Sequence, residues 1–455
     1  MHTHRLLIVS AMALLAGTAI AQTPQIAPKS TPKSKLTIDQ LVQIKHPSGH
    51  QWTPDGSHVW FTYDDGGINN VWAVASDASS PAVALTSYAE GQTGGGAFWS
   101  KDSQNFFYQR DGGLLTVSVK GGAPHTAWAS AARGRGFSLS PDGTRVAFLV
   151  GGGGVRGGGV ADLIVHTIST NADQKIAHAD GSIAGMAWSP DGLNLAFSTT
   201  ATSGASDLVV ANVSANTQNI IHHSDGAIGA PSWTPDGASI TYSAGGGGGG
   251  GGPILHYASP PEIGPKLIFV ATEGGRGGGG GGGGGGANFM IPAGGGTPKQ
   301  LAGGGGGFGG GRGGSNWLDA THTLGTRMSN GGLTRTSESI DINGGAPTLL
   351  HVDTAAKFFS SVNTTASAIS PDRKWLMYTN DNTGWDQVYV VSTAGGTPVQ
   401  LTKAPAEHWR AVWSHDSKRI AWDANTQAKP GTRHIEIATI NDSPATATIV
   451  AVTSG

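Results

Sequence analysis

Short apolar–polar alternations, rather than helical stripes, run through the chain. Val146-Ala-Phe148, Leu195-Ala-Phe197 and Ile240-Thr-Tyr242 each open a segment whose side chains alternate, the period of a strand with one face turned to a core. Each such segment follows a tight turn, and a bulky residue before the turn closes another short strand. The turns are copies of one motif: Trp52-Thr-Pro-Asp-Gly56, Trp99-Ser-Lys-Asp-Ser103, Leu139-Ser-Pro-Asp-Gly143, Trp188-Ser-Pro-Asp-Gly192, Trp233-Thr-Pro-Asp-Gly237, Ile369-Ser-Pro-Asp-Arg373 and Trp413-Ser-His-Asp-Ser417. A degenerate copy begins at Trp317, where Trp-Leu-Asp-Ala precedes Leu324. First positions lie 40 to 52 residues apart, except for an interval of 84 between Trp233 and Trp317.

The motif has a mechanical basis. Pro has its φ already set for the second position of a tight turn, Asp bonds nearby backbone amides, and Gly takes the positive φ that follows. One copy displays a whole repeat. A strand from Ala366 to Ile369 turns at Ser370–Arg373. Strands over Lys374–Tyr378, Trp385–Ser392 and Val399–Thr402 follow, separated by Asp381-Asn-Thr-Gly384 and Ala394-Gly-Gly-Thr-Pro398. The Gly-Gly-x-Pro link recurs at Gly121, Gly295 and Gly344. Four short antiparallel strands repeated with a period in the forties predict the blades of a β-propeller. The predicted class is all-β, with about eight four-stranded blades. Seven is the alternative if the Trp317 copy forms no blade or if the two ends share one. A single blade cannot bury both faces, so the recurrent Trp residues are predicted as packing anchors between blades and the recurrent Asp residues as turn formers.

Composition adds an N-terminal address and a set of insertions. His2, His4 and Arg5 precede an apolar run over 6–20, and Ala19-Ile-Ala21 supplies a small-x-small cleavage pattern before Gln22, so 1–21 is expected to be a secretory signal. Residues 22–40, most biased toward Pro, Lys, Ser and Thr over 22–35, read as a flexible leader, and 41–455 as the propeller. The expected location is exported, periplasmic or secreted, with no membrane span after signal cleavage. Gly is the outlier at 74 of 455 residues, about twice the usual ~7%. Its excess lies in insertions at 245–252, 274–286 and 303–314, with a shorter run at 151–154. The 28 Lys and Arg against 30 Asp and Glu leave a net charge of −2, which gives no basis for capturing nucleic acid. No Cys is present, which excludes thiol nucleophiles, cysteine metal sites and disulfides.

The hairpins resemble TolB-like propeller repeats. Their serial order resembles the N-terminal propeller of exported serine peptidases of the prolyl oligopeptidase and dipeptidyl peptidase IV family. The features that carry this are Leu36-Thr-Ile-Asp-Gln-Leu41 before the first hairpin, Gly384-Trp-Asp-Gln-Val-Tyr-Val390, Gly395-Gly-Thr-Pro-Val-Gln-Leu-Thr402 and Lys429-Pro-Gly-Thr-Arg-His434. The resemblance implies a propeller that covers a hydrolase active site and restricts entry to peptides, with a Ser-Asp-His triad on a following α/β-hydrolase domain. The chain has no Gly-x-Ser-x-Gly elbow, and its six Glu residues include no adjacent pair. No catalytic, cofactor-binding or metal residue is therefore assigned, and no cofactor is expected. Thr448-Ile-Val-Ala-Val-Thr453 resembles the last strand of a repeat, so the chain is expected to stop where a further hairpin would begin, cut at a repeat boundary. The function expected is the non-catalytic propeller portion of such a peptidase, gating or binding peptide. The alternative is a stand-alone TolB-like periplasmic propeller that binds a protein partner.

Other constellations are weak. His46-Pro-Ser-Gly-His50 has zinc-like spacing, but Pro and Gly between the histidines argue against a helix. His222-His223 reads as a solvated loop before a turn. Arg133-Gly-Arg135-Gly and Gly274-Gly-Arg276-Gly are too sparsely charged for RNA. Replacing either 245–252 or 277–286 by a short Gly-Ser link should leave the melting temperature nearly unchanged, because loop closure entropy grows slowly with length. A large drop in a thermal melt would show that these runs are packed.

Overall fold

The computed structural model describes residues 47–65, 68–89, 98–130, 133–151, 159–244, 287–301, 317–355, 369–426, 429–440 and 443–453. The chain divides into Met1–Val42 and Gln43–Gly455, and all of these residues belong to the second unit. The signal and leader segments and the Gly-rich insertions at 245–252, 274–286 and 303–314 lie outside the described residues.

Eight antiparallel sheets follow one another along the chain, confirming the eight-bladed, all-β expectation. Blades 1 to 8 span 47–84, 98–128, 134–179, 182–224, 232–300, 317–354, 369–400 and 408–451. Six blades have four strands. In blades 6 and 7 the described part of the first strand is one bridge, Trp317 to Thr323 and Ile369 to Leu376, and the residues before it lie outside the described residues. Among the described residues the only helical pieces are two short 3₁₀ turns, Asn330–Gly332 and Pro444–Thr446. In seven blades the first motif residue pairs seven positions on, as in Trp52 with Val59 and Trp413 with Ile420. Trp317 pairs six positions on, so blade 6 is a true repeat with a turn one residue shorter. That shortening is why its motif is hard to recognise.

The motif turn is the same in all seven full copies. The Ser or Thr hydroxyl donates to the Asp carboxylate at 2.5–2.8 Å. The carboxylate accepts the amide two residues on, as at Ser57 and Leu193, both 2.9 Å. The same hydroxyl accepts the amide that opens the second strand, as at His58 and Arg145, both 3.0 Å. Hydrogen bonds from the Ser189 and Thr234 hydroxyls hold the Asp191 and Asp236 carboxyls below their ordinary range. Position five takes positive φ even where it is not Gly, at Ser103 (58°) and Ser417 (61°). Each serine hydroxyl accepts the Asp amide of the preceding blade's turn, Asp55 at 3.1 Å and Asp372 at 2.8 Å, which offsets the cost of that backbone.

Eight apolar cores occupy the eight gaps between neighbouring blades, including the gap between blade 8 and blade 1. The last core joins Val412, Ala421, Ile435 and Ile437 to Trp52, Val59, Phe61 and Val74, so the ring closes. Motif tryptophans also bond backward across these gaps. The indoles of Trp188, Trp233 and Trp52 donate to the carbonyls of Ser138, Ala187 and Val412, the residues just before the preceding motif, at 3.2, 2.9 and 3.2 Å. Closure of the ring thus repeats an internal contact. Arg419 of blade 8 adds to it, lying 4.7 Å over the Trp52 ring and donating to the Ser76 hydroxyl at 2.7 Å. The eighth sheet is complete at Ala451 and already packs on blade 1.

Trp413 is buried in the core between blades 7 and 8, whereas the Asp416 side chain is 47% exposed at its turn. Trp413→Ala should therefore cost about 3–5 kcal/mol of stability and Asp416→Ala about 1 kcal/mol. Denaturant titrations giving equal losses would contradict these roles.

Candidate functional site

Strand direction gives the ring two unlike ends. The first strand of every blade runs into a motif turn, so the motif turns and the Gly-Gly-x-Pro links share one end. The connections between second and third strands, and those between blades, share the other. The turn end is a closed hydrogen-bond system. The connection end collects ionisable groups, and they converge where blades 7, 8 and 1 meet.

On the blade 7 side, the Asp386 amide donates to the Glu407 carboxylate at 2.7 Å. His408 is buried, and its Nδ1 lies 3.0 Å from the Asp386 carbonyl. Burial, then the charge and hydrogen bond of Glu407 with that of Asp381 beside it, push the Asp386 carboxyl up to about 7, against the Trp409 indole that donates to it. Glu436 accepts from the Trp422 indole at 2.9 Å and sits 3.0 Å from His434 Nε2. Two of the chain's six glutamates thus lie at the entry to and within blade 8. A shallow cavity of about 420 Å³, lined by Lys403, His408, Asn425 and Glu436 among others, opens beside them.

On the blade 1 side, Asp423 and His50 are fully buried as side chains, with 3.5 Å between Oδ1 and Nδ1. The His50 ring also bonds the backbone at Ala421 and Arg410. Burial lowers His50 despite the pull of Asp423, and burial raises Asp423 despite His50, Arg410 and Arg433. The Arg433 guanidinium lies 3.5 Å from Asp423 Oδ2 and 4.0 Å over the Trp409 ring. Arg410 is exposed on the first strand of blade 8 in a left-handed conformation, φ 54°. Gly49, Gly136 and Gly185 of blades 1, 3 and 4 occupy the same place, three residues before the motif, with φ 62°, 67° and 57°. Each marks an irregularity in the pairing of its first strand, as Arg410 does. A non-glycine residue there costs about 1 kcal/mol or more of backbone strain.

The groups singled out from sequence fall elsewhere or change meaning. His46 lies outside the described residues, and His50 is a buried strand residue without a second histidine beside it. His222 and His223 close the fourth strand of blade 4 rather than forming a solvated loop. His223 is exposed and pairs with Asp207 at 2.6 Å, and His222 packs on Tyr242. Arg135 lies in the first strand of blade 3 and donates to the Gly151 carbonyl at 3.0 Å. Among the described residues no three His, Cys, Asp or Glu side chains group as metal ligands, and no helix is long and apolar enough to cross a membrane. The acid and arginine groups at blade 8 were not singled out. The signal that finds them is the position three before the motif, where Arg replaces the sibling glycines.

No protein-family model matches the chain, and no curated protein matches its sequence. Among solved structures it is similar to an oligogalacturonate lyase in complex with manganese, at 14% identity and a TM-score of 0.44, covering 88% of this chain and 91% of that one. It is also similar to an oligogalacturonate lyase from Vibrio parahaemolyticus, at 13% identity and a TM-score of 0.40, covering 86% and 88%. A third is the β-propeller domain of the Trilobed protease from Pyrococcus furiosus, at 10% identity and a TM-score of 0.37, covering 90% and 98%.

The Asp386 shift sets a pH dependence. In the unfolded chain its carboxyl loses the proton near ~4, and in the folded chain it does so at about 7. Between these values the folded state holds the extra proton, so stability falls as pH rises from about 4 to about 7. The turn aspartates act with the opposite sign below that window, their contribution being lost as pH falls through their lowered values. Asp386→Asn should flatten the decline measured by denaturant titration between about pH 4.5 and 7.5. Identical slopes in the two proteins would contradict the assignment.

Proposed function

We propose that this chain is the non-catalytic propeller portion of an exported peptidase of the dipeptidyl peptidase IV and prolyl oligopeptidase type, and that it binds or gates peptide at the connection end of the ring. One observation carries the reading. Around Trp409 on the first strand of blade 8, the fold gathers an acid pair (Asp386 and Glu407) from the junction with blade 7 and an arginine pair (Arg410 and Arg433) from the first and third strands. A short peptide presents both charges and a polar backbone between them, whereas an internal structural network would satisfy its own groups, as the turn end does. The order of hairpins along the chain, with its Gly-Trp-Asp-Gln-Val-Tyr-Val stretch at 384–390, supports the peptidase affiliation. In that reading the nucleophile and its base belong to a hydrolase domain outside these blades, since acyl transfer needs a nucleophile, a base and oxyanion donors held together.

Calorimetry with a panel of tri- to hexapeptides should give Kd values of about 0.1–1 mM, equivalent to about −5.5 to −4 kcal/mol. Xaa-Pro and Xaa-Ala chromogenic dipeptides should not be turned over, and a serine-directed fluorophosphonate probe should not label the chain. Turnover that follows the pure protein together with stoichiometric labelling would overturn the non-catalytic reading.

A further inference from the structure

We infer that Arg410 and Arg433 form a carboxylate-binding site at the connection end of the blade 8–blade 1 gap, and that it takes the C-terminal residue of a peptide. The inference rests on the peptide-binding reading and adds to it which end of the peptide is held, and where.

Three observations carry it. First, Arg410 stands where blades 1, 3 and 4 have glycine, in the backbone conformation that glycine adopts without strain. At Gly49, the counterpart in the adjoining blade, nothing lies within 4 Å of the position a Cβ would take, whereas at Gly185 Ala230 closes the same place, and Arg410 itself is exposed. A long cation there adds strain and gains no apolar burial, which a role in packing does not explain. Second, the charges beneath it do not cancel. Arg410 and Arg433 both act on a single carboxylate, Asp423, whose own ionisation is disfavoured by burial. The guanidinium of Arg433 is fixed over the Trp409 ring at 4.0 Å and reaches Asp423 Oδ2 through Nη1 only at 3.5 Å, so a second carboxylate would share the fork with Asp423. Guanidinium groups match carboxylates in two-pronged geometry.

Third, Arg433 also borders an apolar groove of about 270 Å³ between blades 8 and 1, lined by Phe61, Tyr63, Trp72, Ala82 and Val452. That volume suits one bulky side chain rather than a larger ligand. A group that carries a carboxylate next to one apolar side chain is the last residue of a peptide with an aromatic or aliphatic C-terminus. Charge complementarity with Arg433 selects this occupant over an apolar segment from within a chain. The acid pair Asp386 and Glu407 lies on the opposite, blade 7 side of the same strand and would repel a carboxylate that approached from there.

The test is calorimetry on the full chain with four probes: Ala-Ala-Ala-Phe with a free C-terminal carboxylate, the same peptide as its C-terminal amide, Ala-Ala-Ala-Asp amide, and succinate. The free-acid Phe peptide should bind at least about tenfold more tightly than its amide, a difference of about 1.4 kcal/mol. Arg410→Gly and Arg433→Gln should each remove that preference. Arg410→Gly restores the sibling residue, so its melting temperature should equal or exceed that of the parent, and a lost preference cannot then be assigned to misfolding. Equal binding of acid and amide, or a preference that survives in Arg410→Gly, would overturn the site and leave the peptide reading standing. Binding of succinate that Arg410→Gly abolishes, with no peptide bound, would keep the anion site and overturn the peptide reading. A preference for the Asp amide would overturn the C-terminal assignment in favour of acidic side chains. No binding of any probe would overturn both.

Discussion

A four-stranded blade of this size exposes two apolar faces and can bury neither alone. Everything else in the architecture follows from that constraint. Each gap between neighbours holds its own core, and the chain contains as many cores as blades because the first and last blades also meet. That last contact joins residues 360 positions apart, Trp52 to Val412, and among the described residues no strand is exchanged to secure it: the first blade draws its strands from the start of the ring and the eighth from the end. Closure therefore depends on side chains, chiefly the Trp52 indole and the Arg419 guanidinium, making the contacts that motif residues make elsewhere in the ring.

This repetition explains what could be read in the chain before its fold was known. The turn is a local device, formed by five consecutive residues, so its seven full copies mark seven first strands without reference to anything distant. The eighth was hard to see because blade 6 shortens that turn by one residue at Trp317. Strand edges were less legible. The third strand of blade 7 begins at Gln387 rather than Trp385, since Asp386 is drawn into contacts with Glu407. His222 and His223 read as loop because His, Ser and Asp cluster there, yet pairing with Asp207 and Leu208 extends the strand through Ser224.

The candidate site was not legible in the same way. Asp386 and Glu407 belong to different blades, and His50 and Asp423 are nearly a full chain apart. No spacing rule connects them: packing of blade 7 on blade 8 joins the first pair, and ring closure joins the second. Arg410 is the exception. It is visible as a break in a pattern, a charged residue where three sibling blades place glycine. The division of labour between the two ends follows from the same logic. At the turn end the hydroxyl and carboxylate of each full motif bond each other and the amides that follow, which suits a girdle that shapes the ring. At the connection end the chain can vary without disturbing the cores, and there blade 8 concentrates acids, arginines and tryptophans.

The central claim is that the connection end at blades 7, 8 and 1 is the binding end and that the turn end is structural. Hydrogen–deuterium exchange with and without a saturating free-acid peptide tests it most directly. The account predicts added protection in 381–387, 407–410 and 48–50, with no change in the motif turns at 53–57, 140–144 and 414–418. Protection confined to the motif turns, or spread evenly over the outer strands, would contradict it.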